Sequence, residues 1–117
     1  MNVFGVVEAK ILSCLEILKT EGVFPKNIQF PSFEVETPRD PSHGDLSCNC
    51  AFLLSKILGK KAYEIAHSIQ LKLSGDPDVQ RVEVAGSGFL NITMRASFWH
   101  ELIVTILTDY PLYGRGD

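Results

Sequence analysis

No stretch of this 117-residue sequence has more than the five consecutive apolar residues of 50–54, far fewer than the roughly 20 that cross a bilayer. A basic, cleavable apolar leader is missing too. The first segment carries Glu8 and an amphipathic pattern, which argues against secretion. Cysteine is scarce: Cys14, Cys48 and Cys50 cannot all pair and give no sign of an oxidising compartment. The expected location is cytoplasmic, with no membrane partner. Basic charge is also short, since 11 Lys and Arg stand against 14 Asp and Glu, a net charge of −3. Proteins that grip nucleic acid by electrostatics alone are usually basic, because counterion release supplies most of their affinity. Any RNA contact must therefore rest on shape and stacking. Catalytic signatures are absent as well: there is no G-x-x-x-x-G-K, no G-x-S-x-G and no triad.

What is present is the composition of one globular domain, 45% apolar and 21% charged. Apolar residues recur at helical spacing over about 2–21 (Val3, Val7, Ile11, Cys14, Leu18), and Gly22 and Pro25 close that segment. Alternation of Phe33 and Val35 with Glu34 and Glu36 predicts a strand near 29–36, bent or at an edge because of Pro31. Turn formers fill 37–45, and Asp45 is expected to cap a helix running to Leu58 with Cys50, Leu54 and Ile57 buried. A third helix is expected over 62–73, burying Ile65, Ala66, Ile69 and Leu73. Strands at 79–85 and 89–94 are joined by the tight turn Gly86-Ser87-Gly88. A last helix, 97–109, is expected to bury Phe98, Leu102, Ile103, Ile106 and Leu107. The order α-β-α-α-β-β-α reads as α+β, a small, mostly antiparallel sheet with helices packed on one face. The domain is expected over 1–110, and the aperiodic 111–117 reads as the start of a linker.

Three constellations could carry chemistry. In the strand 89–94, Leu90, Ile92 and Met94 must face the helices, which leaves Phe89 and Asn91 on the open face. The partner strand adds Arg81 and Glu83 there. A ring can stack on a base and an amide can read its edge; equally, Phe89 could cover the hairpin and Asn91 satisfy a turn. The second is Asp40, His43, Asp45, Cys48 and Cys50, whose residue types suit zinc. On a helix capped by Asp45 the two cysteines would lie about 200° apart, so no metal site is expected. The third is Lys60-Lys61 ahead of the third helix, where free backbone N–H groups and lysines could meet a phosphate. The turn 86–88 is too short to cradle a nucleotide phosphate.

Taken in order, Glu36-x-Pro38, His43-Gly44-Asp45-x-x-x-Asn49-x-Ala51, Ile65-Ala66 and Gly86-x-Gly88-Phe89-Leu90-Asn91 resemble the N-terminal additional domain of arginyl-tRNA synthetases, over nearly the whole chain. The resemblance implies a small antiparallel sheet backed by helices that contacts the D-loop at the outer corner of tRNA-Arg. It implies that Phe89 and Asn91 meet a D-loop base, with Arg81, Lys60 and Lys61 as supporting contacts. Gly44, Asp45, Asn49 and Gly88 are then structural motif positions, with Asn49 expected to turn inward toward the preceding loop. The resemblance further implies a parent enzyme that ligates arginine to tRNA with ATP and magnesium through a separate catalytic domain. This fragment is expected to have no catalytic residues, cofactor or metal of its own. Ala62, where many members have proline, and the cysteines flanking Asn49 depart from the pattern. A protein–protein docking domain without RNA contact is the alternative.

Overall fold

The computed structural model describes residues 3–38 and 44–109. The elements are α1 (Val3–Thr20), β1 (Val35–Glu36), β2 (Leu46–Cys48), α2 (Cys50–Leu58), α3 (Ala62–Leu73), β3 (Val79–Ala85), β4 (Phe89–Met94) and α4 (Ala96–Asp109). Asp40, His43 and the expected linker at 111–117 lie outside the described residues.

The four strands form one antiparallel sheet in the order β1-β2-β4-β3. One face of it is apolar: Val35, Leu46, Cys48, Leu90, Ile92, Met94, Val79 and Val82 are all buried. Against that face pack Val7, Ile11, Leu15 and Leu18 of α1, Cys50, Ala51 and Leu54 of α2, and Ile65, Ala66, Ile69 and Leu73 of α3. The expected α+β architecture is thus the observed one. Burying these aliphatic side chains, each contributing about 1.5–3 kcal/mol, is the main force holding sheet to helices.

The sheet differs from the expectation at Asp45, which does not cap a helix. Its N–H donates to the Ile92 carbonyl at 2.9 Å, and its carboxylate accepts the Met94 N–H at 2.8 Å. Asp45 therefore leads into a strand, β2, in which Leu46 and Cys48 point inward and Ser47 outward. Three residues are too few for their alternation to stand out from a helical pattern. Asn49 takes the N-cap position of α2, with no side-chain capping bond, and its side chain is exposed instead of inward. The expected strand at 29–36 shrinks to Val35–Glu36, since the residues around Pro31 make no ladder.

A bulge explains how β3 keeps its face. Val79 pairs with Met94 while Arg81 pairs with Thr93, so the register shifts between them. Val79 and Val82, three apart, can then both point inward, and Arg81 and Glu83 remain outside.

Two helical stripes are less buried than their periodicity predicted. Ile57 is exposed on α2. On α4 only Phe98 is buried and Leu102 is half-buried, while Ile103, Ile106 and Leu107 face outward. The pattern is helical in both cases; among the described residues nothing covers these positions.

Candidate functional site

The register across the sheet fixes what its outer face displays. Glu36 pairs with Ser47, Ser47 with Asn91, and Asn91 with Glu83, so these four side-chain positions form one row across all four strands. Flanking the row, Thr93 stands opposite Arg81 and Phe89 opposite Ala85. Glu36 and Ser47 were not anticipated as members of this face, because β2 was not. The one local sign of β2 is the alternation Leu46-Ser47-Cys48, which three residues do not separate from a helical pattern.

Phe89 opens β4 with 46% of its surface exposed, although Leu90, Asn91, Ile92 and Met94 after it are all buried. Its ring is held edge-to-face by Phe52 of α2, with centroids 4.8 Å apart and planes at 67°. Such a pair orients the ring, and nearly half of the residue's surface stays open to solvent. The β2–β4 ladder ends at Cys48 opposite Leu90, so Asn49 occupies the next position, beside Phe89. On the other side the turn is clamped to α3. Gly88 lies so close to Ala62 that a Cβ there would stand 2.9 Å from the Ala62 Cβ. That approach carries Lys61, the N-cap residue of α3, to the same corner.

The predicted site residues thus divide. Phe89, Asn49 and Lys61 converge around one corner, and all three are exposed. Asn91 shares the face but is recessed, only 6% exposed, between Ser47 and Glu83. Arg81 is on the face too, but its Nε lies 2.9 Å from the Glu83 carboxylate, so its charge is already compensated. Lys60 separates from Lys61: its ammonium donates to the Val23 carbonyl at 3.3 Å, while Lys61 has no side-chain partner among the described residues. Gly44 and Asp45 act together as an architectural pair. A Cβ on Gly44 would meet Thr93 Oγ1 at 2.9 Å and the Ile92 carbonyl oxygen at 3.0 Å, so glycine is needed where the chain enters β2.

Cys48 and Cys50 do meet, contrary to the expectation that they would lie on opposite sides of one helix, because Cys48 belongs to β2. Their side chains hydrogen-bond each other, which together with burial pushes the Cys50 thiol far up from its ordinary value. Burial raises the nearby Cys14 thiol as well. All three are buried and free, which suits core packing and not nucleophilic attack. Among the described residues, no three His, Cys, Asp or Glu side chains are grouped to hold a metal ion. The broad depression of about 480 Å³ beside Lys10, Cys14, Lys72 and Asp76 has its charges internally matched. Lys10 lies 3.0 Å from Asp76 and 2.9 Å from Asp78, and Lys72 lies 2.7 Å from Glu21. No helix among the described residues is long and apolar enough to cross a membrane.

Comparison with known proteins bears on this arrangement. The family model described as the arginyl tRNA synthetase N terminal domain matches residues 6–94. An arginine–tRNA ligase of Parvibaculum lavamentivorans is 43% identical over 117 residues, 100% of this chain and 20% of its own length. That of Ruegeria pomeroyi is 40% identical over the same 117 residues, again 20% of its length. The crystal structure of the arginyl-tRNA synthetase from Plasmodium falciparum matches 82% of this chain and 16% of its own, with a TM-score of 0.65 at 15% identity. That last likeness is one of fold. The chain spans about a fifth of the length of the curated relatives it matches.

Proposed function

Because the chain belongs to the family of arginyl-tRNA synthetase N-terminal domains, we propose that it is the tRNA-contacting part of a longer, cytoplasmic arginine–tRNA ligase, with Phe89 as the platform for a D-loop base of tRNA-Arg. The observation that carries this reading is the exposed ring of Phe89 at the head of an otherwise buried strand. A base stacked on such a ring gains about 1–3 kcal/mol whatever its identity. Asn91, recessed on the same face two residues along, supplies a donor and an acceptor to the edge of that base. Lys61 is placed to meet an adjoining phosphate. Arg81 and Lys60 contribute less, since each already has a partner. Glu36 and Glu83 make the face poor in positive charge, in keeping with recognition by stacking and not by electrostatic attraction.

Activation of arginine with ATP and magnesium would occur elsewhere in the longer enzyme. The described residues do not fit either group: Gly88 of the turn 86–88 is packed against Ala62, no three His, Cys, Asp or Glu side chains are grouped, and the paired Asp76 and Asp78 are taken up by Lys10. No step of ligation is assigned to this chain.

The test is tRNA-Arg binding by the full-length ligase. Phe89→Ala is expected to weaken binding by about 1–3 kcal/mol, and Asn91→Ala to cost less but to reduce the difference between tRNA-Arg and a variant with altered D-loop bases. Arginine-dependent ATP–pyrophosphate exchange should stay unchanged. Equal binding of both tRNAs by wild-type enzyme would remove the D-loop reading and favour a surface that docks another protein.

A further inference from the structure

Helix α4 carries a much wider apolar face than its own domain uses. Taking Phe98 as zero at about 100° per residue, Leu102 lies near 40°, Ile106 near 80°, Trp99 near 100°, Ile103 near 140° and Leu107 near 180°. Half the circumference is therefore apolar. A helix that packs on one surface needs a stripe only a little over 100° wide. The domain covers the near edge: Phe98 is buried, with Trp99 edge-to-face against it at 5.3 Å, and Leu102 is half-buried. The far edge is bare, with Ile106, Ile103 and Leu107 at 36, 56 and 63% exposure. Glu101 and Thr105 border the apolar half on its Phe98 edge, beside Val6 and Asp78 of the domain, and the Thr105 hydroxyl donates back to the Glu101 carbonyl. The 43%-exposed Val104, at about 240°, extends the apolar surface beyond Leu107. An apolar strip of this kind, continuous along a helix and bordered by polar residues, marks a contact surface.

Three facts indicate what covers it. The family match ends at Met94 and α4 begins at Ala96, so the helix lies just outside the domain that the family model describes. The curated relatives nevertheless align through α4, and this chain amounts to only a fifth of their length. The matched family is N-terminal by name, so the remaining four-fifths of those relatives follow on the α4 side. We propose that the face formed by Ile103, Ile106 and Leu107 is the surface on which the C-terminal body of the full-length ligase docks, fixing the orientation of the sheet face relative to that body. The inference rests on the reading of the chain as one part of a longer arginine–tRNA ligase.

The test is photo-crosslinking in the full-length protein, with benzoylphenylalanine replacing Ile103 or Leu107 and, as a control, Glu101. The expected result is an intramolecular crosslink from 103 and 107, and not from 101, to peptides outside residues 1–117. As a second readout, Ile103→Glu with Leu107→Glu should speed proteolytic cleavage near α4 at least tenfold while leaving thermal unfolding of the 3–94 core in place. Crosslinks to a second copy, crosslinks back to residues 1–94, or no crosslink from either position would each overturn the proposal. The parent reading fails separately: a full-length protein that cannot activate arginine is not the ligase, wherever its crosslinks fall.

Discussion

A side chain on Gly88 would collide with Ala62: its Cβ would stand 2.9 Å from the Ala62 Cβ and 3.1 Å from the Ala62 carbonyl carbon. The β3–β4 turn and the first residue of α3 are therefore in direct contact through a missing side chain. Gly88 also has φ of +154°, a value that other residues rarely adopt. Gly88→Ala is expected to cost about 1–3 kcal/mol. In the Gly88→Ala background, Ala62→Gly should recover the part due to the methyl–methyl clash but not the part due to backbone strain. Thermal denaturation of the four chains gives the coupling; strictly additive effects would show that the two residues do not touch.

Neighbours on β4 should behave in opposite ways. Leu90 is fully buried, so Leu90→Ala is expected to cost about 2–5 kcal/mol. Phe89 loses chiefly its edge-to-face contact with Phe52, worth about 0.5–1.5 kcal/mol beyond area. Urea unfolding of both variants is the check. A Phe89→Ala chain as unstable as Leu90→Ala would mean that the strand faces have been exchanged.

Asp45 is expected to be structural through one bond. Its carboxylate accepts the Met94 N–H on the far end of the central strand. Asp45→Ala leaves that donor without its partner and should cost about 1–3 kcal/mol. Asp45→Asn keeps a carbonyl acceptor and should retain most of the stability. Amide exchange at Met94 reports the bond directly: it should accelerate in the alanine variant and stay close to wild type in the asparagine variant.

Asn49 should be indifferent for stability. It is exposed and makes no capping bond, so Asn49→Ala is expected to change unfolding free energy by no more than about 0.5 kcal/mol. If the variant melts markedly earlier, its amide holds the preceding loop. If it melts normally but binds tRNA-Arg less well in the full-length ligase, it belongs to the corner around Phe89.

The sequence revealed most where a period is long and uninterrupted. The faces of α1 and α3 and the inward set Leu90, Ile92 and Met94 were legible because each repeats over several turns or strand pairs. The position of Phe89 followed from the same alternation. What escaped notice was short or non-local. β2 has three residues, and its place depends on an aspartate bonding to a strand 49 residues further along. The bulge in β3 shows only in the pairing of Val79 and Arg81 with their partners. Alternation puts Asn91 on the outer face, but its burial is not legible there, since its neighbour Ser47 belongs to β2. The exposure of Ile103 and Leu107 could not be read at all, because periodicity indicates which side of a helix is apolar and not what covers it.

Strand β4, flanked by β2 and β3, sets an order of assembly. Its pairing with β3 closes only a three-residue turn, whereas its pairing with β2 closes a loop of roughly forty residues, an entropic cost that grows with length. The hairpin can thus form early and alone. β2 can join only once the hairpin presents an edge, and the two residues of β1 can add only to β2. Protection of backbone amides against hydrogen exchange should fall in the same sequence, from β4 outward to β1. On that account the corner holding Phe89 sits on the part of the sheet that forms first and opens last.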